Sequence, residues 1–261
     1  MTMMQEVPPV PCVPGAPSWV SLLTPDVAAA QAFYGPLLGW SFETVSEPTG
    51  PYAYALTRAT KVAGIAALPE RWQFPATWTT FFGVTDIAAA ARRVGERAGT
   101  VGIGPMDFTG GRLAIATDPG GAAFGLWQGT AGPARHLRLP GAPNWVELST
   151  EDAFGAAMFY GSVLDWDHLG PEQLEVHWEH ERVVVRVQGH NVAALRTVKA
   201  VDGEETAHWH ISFAVDDVES ATAHAQRLGG RIITPPAPSP YGPTASVRDP
   251  HGARFSLIAP L

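Results

Sequence analysis

Two side chains in this sequence are placed where they could move a proton. Glu147 lies in NWVELST and His210 in HWHIS, both alternating runs of apolar and polar residues. In a strand, alternation puts Trp145, Glu147 and Ser149 on one face, and His208, His210 and Ser212 on one face of theirs. A carboxylate and an imidazole that meet in one cavity make a general base and acid. The same half holds His177, His180 and His190, with His177 and Glu179 on a shared strand face. Such groups either improvise a metal site or are half-exposed strand histidines held by water and hydrogen bonds. Nine tryptophans supply a different chemistry, because indole faces on a concave surface stack on flat aromatic guests.

Other chemistries find no support. Cys12 is the only cysteine, which leaves no internal disulfide and no thiolate cluster. The Gly110–Gly111 and Gly229–Gly230 pairs read as turns and a helix stop, and neither opens a phosphate-binding helix after a buried strand. A formal charge of −8 argues against a nucleic-acid partner, and no run of 18 apolar residues is present to span a membrane. MTMMQEVPPVPCVPG lacks the basic start and apolar core of a signal peptide, so a cytoplasmic protein with a loose, proline-rich tail over residues 1–14 is expected.

The elements that must position these residues come from a duplication. GAPSWVSLLTPDVAAAQAFYGPLLGW, from Gly15, aligns without gaps on GAPNWVELSTEDAFGAAMFYGSVLDW, from Gly141, at an offset of 126. Further on, an offset of 131 aligns WTTFFGVTDIAAA, from Trp78, on WHISFAVDDVESA, from Trp209, and DPGGAAFGLW on DPHGARFSLI. A fainter repeat inside each half relates the stretches around Asp26 and Asp86, and those around Asp152 and Asp217. Each quarter reads as strand, helix and three strands. In the first, Thr24 is the expected N-cap with Pro25 at the first helical position, and apolar residues recur from Val27 to Leu38 until Gly39. Asp216 and Glu219 form an expected capping box in the fourth. Strands are predicted over 41–45, 52–58 and 62–68, and residues 128–140 read as the linker between domains at 15–127 and 141–261.

The βαβββ quarter, the FYG and LLGW or VLDW ends and the closing DP-x-G-x-x-F run resemble the vicinal oxygen chelate superfamily. That superfamily includes glyoxalase I, extradiol dioxygenases and bleomycin resistance proteins. The tandem arrangement with its GAP-x-W-V opening is similar to actinobacterial two-domain members found beside polyketide and anthracycline biosynthesis enzymes. The resemblance implies an α+β fold of two tandem domains, each a sheet curled into a half-barrel around a cleft with helices outside. It also implies opening-strand metal ligands seven residues before each helix-start Asp, where this chain has Trp19, Thr79, Trp145 and His210. The closing-strand carboxylate positions hold Gly125 and Ser256. One imidazole is too few for a catalytic metal, which takes about three protein ligands, so no metal and no cofactor are expected.

The expectation carried forward is a binding protein rather than an enzyme. Its metal-free clefts are lined by Trp19, Ser21, Phe81 and Trp127 in the first domain and by Trp145, Glu147, Trp209, His210, Tyr241, Arg254 and Ser256 in the second. A planar aromatic natural product of anthracycline type is the expected ligand, favoured further where it carries a cation. Capture would serve self-resistance or assist a biosynthetic partner such as an oxygenase, and a monomer or homodimer is expected. The rival reading is a glyoxalase-like enzyme, either metal-dependent or a cofactor-free isomerase or cyclase using Glu147 and His210. A Glu147 paired with Arg254 would only hold the barrel's mouth.

Overall fold

The computed structural model describes residues 12–47, 50–67, 76–130, 139–170, 172–179, 182–199 and 207–260. Most of the amino-terminal tail and of the linker, and His180 with them, lie outside the described residues. Each quarter opens with a strand that feeds a helix through an aspartate: β1 (Pro17–Thr24) leads to α1 (Val27–Leu38), and β5 (Thr77–Gly83) to α2 (Ile87–Glu96). In the second half β9 (Pro143–Thr150) leads to α3 (Ala153–Val163), and β13 (His208–Ala214) to α4 (Val218–Arg227). The caps are Asp26, Asp86, Asp152 and Asp217, whose carboxylates accept backbone N–H groups of the first turn. This corrects the expected start at Thr24. The Thr24 hydroxyl accepts only from the Asp26 amide, at 3.4 Å, whereas the Asp26 carboxylate accepts from the Ala29 amide of the first turn at 2.9 Å. The capping box expected at Asp216 shifts by one residue, since it is the Asp217 carboxylate that accepts from the Ser220 amide. Gly39 does end α1, in the left-handed region at φ 68°.

Three strands complete each quarter. They are β2 (Ser41–Glu47), β3 (Gly50–Thr57) and β4 (Thr60–Ala67), then β6 (Thr100–Phe108), β7 (Gly111–Thr117) and β8 (Ala123–Gly129). The second half adds β10 (Glu175–Glu179), β11 (Arg182–Val187) and β12 (His190–Thr197), then β14 (Arg231–Ala237), β15 (Thr244–Arg248) and β16 (Arg254–Ile258). Two eight-stranded mixed sheets result, ordered β2-β3-β4-β1-β5-β8-β7-β6 and β10-β11-β12-β9-β13-β16-β15-β14. The opening strands of two quarters pair antiparallel at each sheet's centre, setting Trp19 opposite Phe81 and Ser21 opposite Thr79 in the first, and Trp145 opposite Ser212 and Glu147 opposite His210 in the second. Alternation sends Val20, Leu22, Val146 and Leu148 into the helix-side core, all nearly without exposure.

One apolar core runs through both halves. Four tryptophans fasten it. The Trp40 and Trp166 indoles donate to the carbonyls of Gly141 and Gly15 across the domain boundary, at 2.8 and 2.9 Å. Trp78 donates to the Tyr34 hydroxyl, which donates to Asp249 of the other half; Trp209, Tyr160 and Asp118 repeat that chain in mirror sense. Trp209 therefore corrects an expectation, since it lies buried on the helix side of β13, away from the cleft. Cys12 is also buried, beside the Trp127 carbonyl.

Candidate functional site

The concave face of the first sheet is filled by its own rings. From β3, Tyr52 reaches under β1, where its hydroxyl accepts from the Trp19 indole at 2.8 Å and from Ser21 at 3.4 Å. Burial pushes that hydroxyl well above the ordinary tyrosine range. A β-carbon at Gly64 would run into the Tyr52 hydroxyl, and one at Gly125 into the Phe81 ring. The space in which the family's closing strands would raise a carboxylate is thus occupied by aromatic side chains. Phe108 packs edge-on against Tyr52 and Trp127, and Tyr54 against Trp19. The Trp127 indole is satisfied by the Thr130 carbonyl at 2.9 Å. Trp19, Ser21, Phe81 and Trp127, expected to meet a guest, instead pack with Tyr52 into a floor.

The second sheet keeps the same strands and changes the filling. Ser212 replaces Phe81 opposite Trp145, and Ser256 replaces Gly125 beside it in parallel register. Ser246 shares a hydrogen bond with Ser256 at 3.1 Å, so the floor is of small hydroxyls. Above it Trp145 lies beside Tyr241, ring centroids 5.5 Å apart and planes at 30°. The Arg182 guanidinium donates to the Tyr241 hydroxyl at 2.9 Å and stands 5.5 Å from its ring centre. Arg182 opens β11 and Tyr241 sits in the β14–β15 loop, near opposite ends of the sheet order, so this contact closes the curl over the cleft. The first domain closes at the equivalent place through Glu47, whose carboxylate accepts from the Thr109 amide at 3.0 Å, but there the acid is buried.

Electrostatics decide what the cleft's polar residues can do. Glu147 does not pair with Arg254, contrary to one expectation. Its carboxylate accepts from Arg196 Nε at 2.9 Å, because β12 lies directly beside β9 and brings Arg196 level with Ser149. Arg254 forms no ion pair with any described residue. The His208 and His210 rings contact each other through their Nε2 atoms at 2.5 Å. Desolvation first, then His208, Arg254 and Arg196, push the His210 imidazolium down to about 3. His210 is therefore neutral near pH 7, and no imidazolium stands there as a general acid.

The donor set does not suit a metal either. Trp19, Thr79, Trp145, Gly125 and Ser256 carry no ligating imidazole or carboxylate, and among the described residues no three His, Cys, Asp or Glu side chains cluster so as to hold an ion. His177 lies 3.9 Å from Glu179 on β10, with no third ligand beside them among the described residues.

The family model for the Glyoxalase/Bleomycin resistance protein/Dioxygenase superfamily matches residues 16–126 and again 142–257. The chain belongs to that superfamily. The anthracycline biosynthesis protein DnrV of Streptomyces peucetius is 35% identical to it over 261 residues, covering 94% of this chain and 93% of DnrV. Among solved structures it is similar in fold to the 2,3-dioxygenase LapB of Pseudomonas sp. KL28, with a TM-score of 0.60 at 15% identity over 95% of this chain and 93% of LapB. It is likewise similar to the Mn(II)-bound glyoxalase of Novosphingobium aromaticivorans, with a TM-score of 0.59 at 17% identity over 95% and 83% of the two chains. Within this superfamily the chain keeps the half-barrels and replaces the ligand positions.

Of the residues that sequence reasoning assigned to the second cleft, the structure sets Trp145 beside Tyr241, Glu147 opposite His210, and Ser256 beside the Ser212 that faces Trp145. It missed Tyr52, Arg182, Arg196 and Ser246. Tyr52 and Tyr54 alternate in PYAYAL, a signal of two rings on one face; the arginines become visible only once β11, β12 and β9 are put in register.

Proposed function

We propose that the chain is a metal-independent binding protein that holds a planar aromatic small molecule in the cleft of its second domain. The observation that carries this reading is the exchange of Phe81 and Gly125 for Ser212 and Ser256. It removes the ring that fills the first cleft and leaves Trp145 and Tyr241 above a floor of hydroxyls. Stacking on such a wall adds about 0.5–1.5 kcal/mol per ring pair beyond the area buried. Glu147 neutralises Arg196 but not Arg254, so a phenolate or carboxylate oxygen on the guest is favoured beside Arg254. A cationic substituent would lie away from these guanidiniums. DnrV is named for anthracycline biosynthesis, a chemistry of flat, hydroxylated polycycles, and a captured compound of that class would be sequestered or passed to a biosynthetic enzyme such as an oxygenase.

Titration with hydroxylated anthraquinones and anthracyclines should quench tryptophan fluorescence at micromolar or lower concentration, and Trp145→Ala should remove most of the response. Silence across such a panel would sink the reading. The enzymatic alternative rests on Glu147, His208 and His210 sharing the same cleft. Stoichiometric iron, manganese, nickel or zinc in the purified protein, or turnover abolished by Glu147→Gln, would put it first.

A further inference from the structure

Outside both clefts, three surface positions that are small in the first half of the duplication carry large apolar side chains in the second. The 126-residue offset places Phe154 and Met158 of α3 on Ala28 and Ala32 of α1. The strand registers place Trp178 of β10 on Thr44 of β2: Thr44 leads through Ala53 and Ile65 to Leu22, and Trp178 through Val183 and Leu195 to Leu148. In the first half these positions are small. In the second they hold three of the largest exposed apolar side chains among the described residues, at 61%, 55% and 53% exposure. Helix α3 has no charged residue on any side, so its outer face is apolar and uncovered. Apolar side chains of this size left in water at a shared spot mark a contact surface.

The shape there is concave. Between α3 and β10 lies a groove of about 400 Å³, with Leu169 and Leu174 along its base. That volume lies in the range of small-molecule sites, roughly 300–1,000 Å³. The Phe154 and Trp178 rings lie within 21° of parallel, with centroids 6.3 Å apart. An inserted ring needs contact at about 3.5 Å on either face, so the pair has to open to admit one, which an exposed indole on an edge strand allows. Among the described residues the charged groups lining the groove are the carboxylates of Asp167 and Glu175, with no lysine or arginine beside them. Glu175 also meets Arg186 at 3.6 Å, which leaves Asp167 as the freer anion.

We propose that this groove is a second small-molecule site, distinct from the concave cleft, which clamps a planar aromatic cation between Phe154 and Trp178. Indole faces and rim carboxylates both attract positive charge. The reading is independent of what the cleft binds.

The probe is proflavine, a flat tricyclic cation, with anthraquinone-2-sulfonate as its anionic counterpart. Proflavine should bind the full chain and bind less tightly as salt rises. The triple variant Phe154→Ala, Met158→Ala, Trp178→Thr, which gives this face the side chains of the first half, should weaken it by at least ~10-fold without lowering the melting temperature. Trp145→Ala, which alters only the cleft, should leave unchanged the component of proflavine binding that the triple variant removes, which separates this site from the cleft. The proposal is overturned if proflavine does not bind, if the triple variant binds it as well as the parent, or if a Trp145→Ala variant, its cleft impaired, binds the sulfonate as tightly as proflavine. It is also overturned if sedimentation shows a dimer that the triple variant abolishes, since the face would then be a protein interface.

Discussion

Protonating His210 would place a further positive charge beside Arg254 and Arg196 in a pocket that has lost most of its water. Its imidazolium is accordingly pushed from 6.5 to about 3. The unfolded chain binds that proton more readily than the folded one, so the contribution is present in full above about pH 6.5 and is lost as pH falls toward 3. His210→Gln should flatten the acid limb of urea-unfolding stability across this window, and a nitrogen-edited spectrum should show the His210 ring unchanged from pH 8 to pH 5. A ring that titrates near 6.5 would contradict the enclosure described. At this scale the sequence was legible wherever alternation decides a side chain's face. Val146, Leu148 and Glu147 fell as expected, and Trp145 and Tyr241 came together. Trp209 was misread because only its type was weighed: it neighbours His210 in sequence, and alternation sends the two to opposite faces. The partner of Glu147 was out of reach, because choosing Arg196 over Arg254 depends on which strand lies beside β9.

A strand pair, rather than one residue, separates a filled half-barrel from an open one. Phe81 fits its domain only because Gly125 beside it lacks a β-carbon, so Ser212→Phe alone would press on Ser256. The paired change Ser212→Phe, Ser256→Gly should fold, carry the first domain's filling into the second and abolish aromatic quenching in the cleft. A double variant that still binds would show that the guest sits elsewhere. Phe81→Ala should empty the first floor and cost about 3–5 kcal/mol in a denaturant melt, the usual loss for a buried phenylalanine. Over the cleft, Tyr241→Ala removes both the stack on Trp145 and the contact with Arg182, and should weaken ligand binding by about 1 kcal/mol, mostly through faster dissociation. The elements themselves were readable from periodicity to within two residues at most ends. Helix starts were read too early, since Thr24 and Asp26 are both good caps and only which side chain meets the first-turn amides decides.

The motif residues that made the family recognisable turn out to hold the molecule together. The tyrosines of the two FYG runs and the aspartates of the two DP turns come from different halves, yet each pair meets across the boundary at 3.0 Å. Each tyrosine hydroxyl also accepts from a tryptophan, Trp78 or Trp209; the four rings lie in one continuous core, and both aspartates are buried. Burial raises both tyrosines well above their ordinary range and raises both aspartates as well, so the hydroxyl donates to the carboxylate and stays protonated. Tyr160→Phe would leave one Asp118 oxygen and the Trp209 N–H without that partner while barely changing volume. A loss of about 2–3 kcal/mol is expected, since each stranded buried polar group costs about 1–3 kcal/mol. Tyr34→Phe should cost about as much by the same geometry, and because the two chains of hydrogen bonds share no member, the double variant should show close to the sum. Shared core also implies shared unfolding: the parent should melt in one transition by both tryptophan fluorescence and far-ultraviolet dichroism. If the two probes separate in the parent, the halves fold as independent units and the tyrosine–aspartate contacts do not couple them.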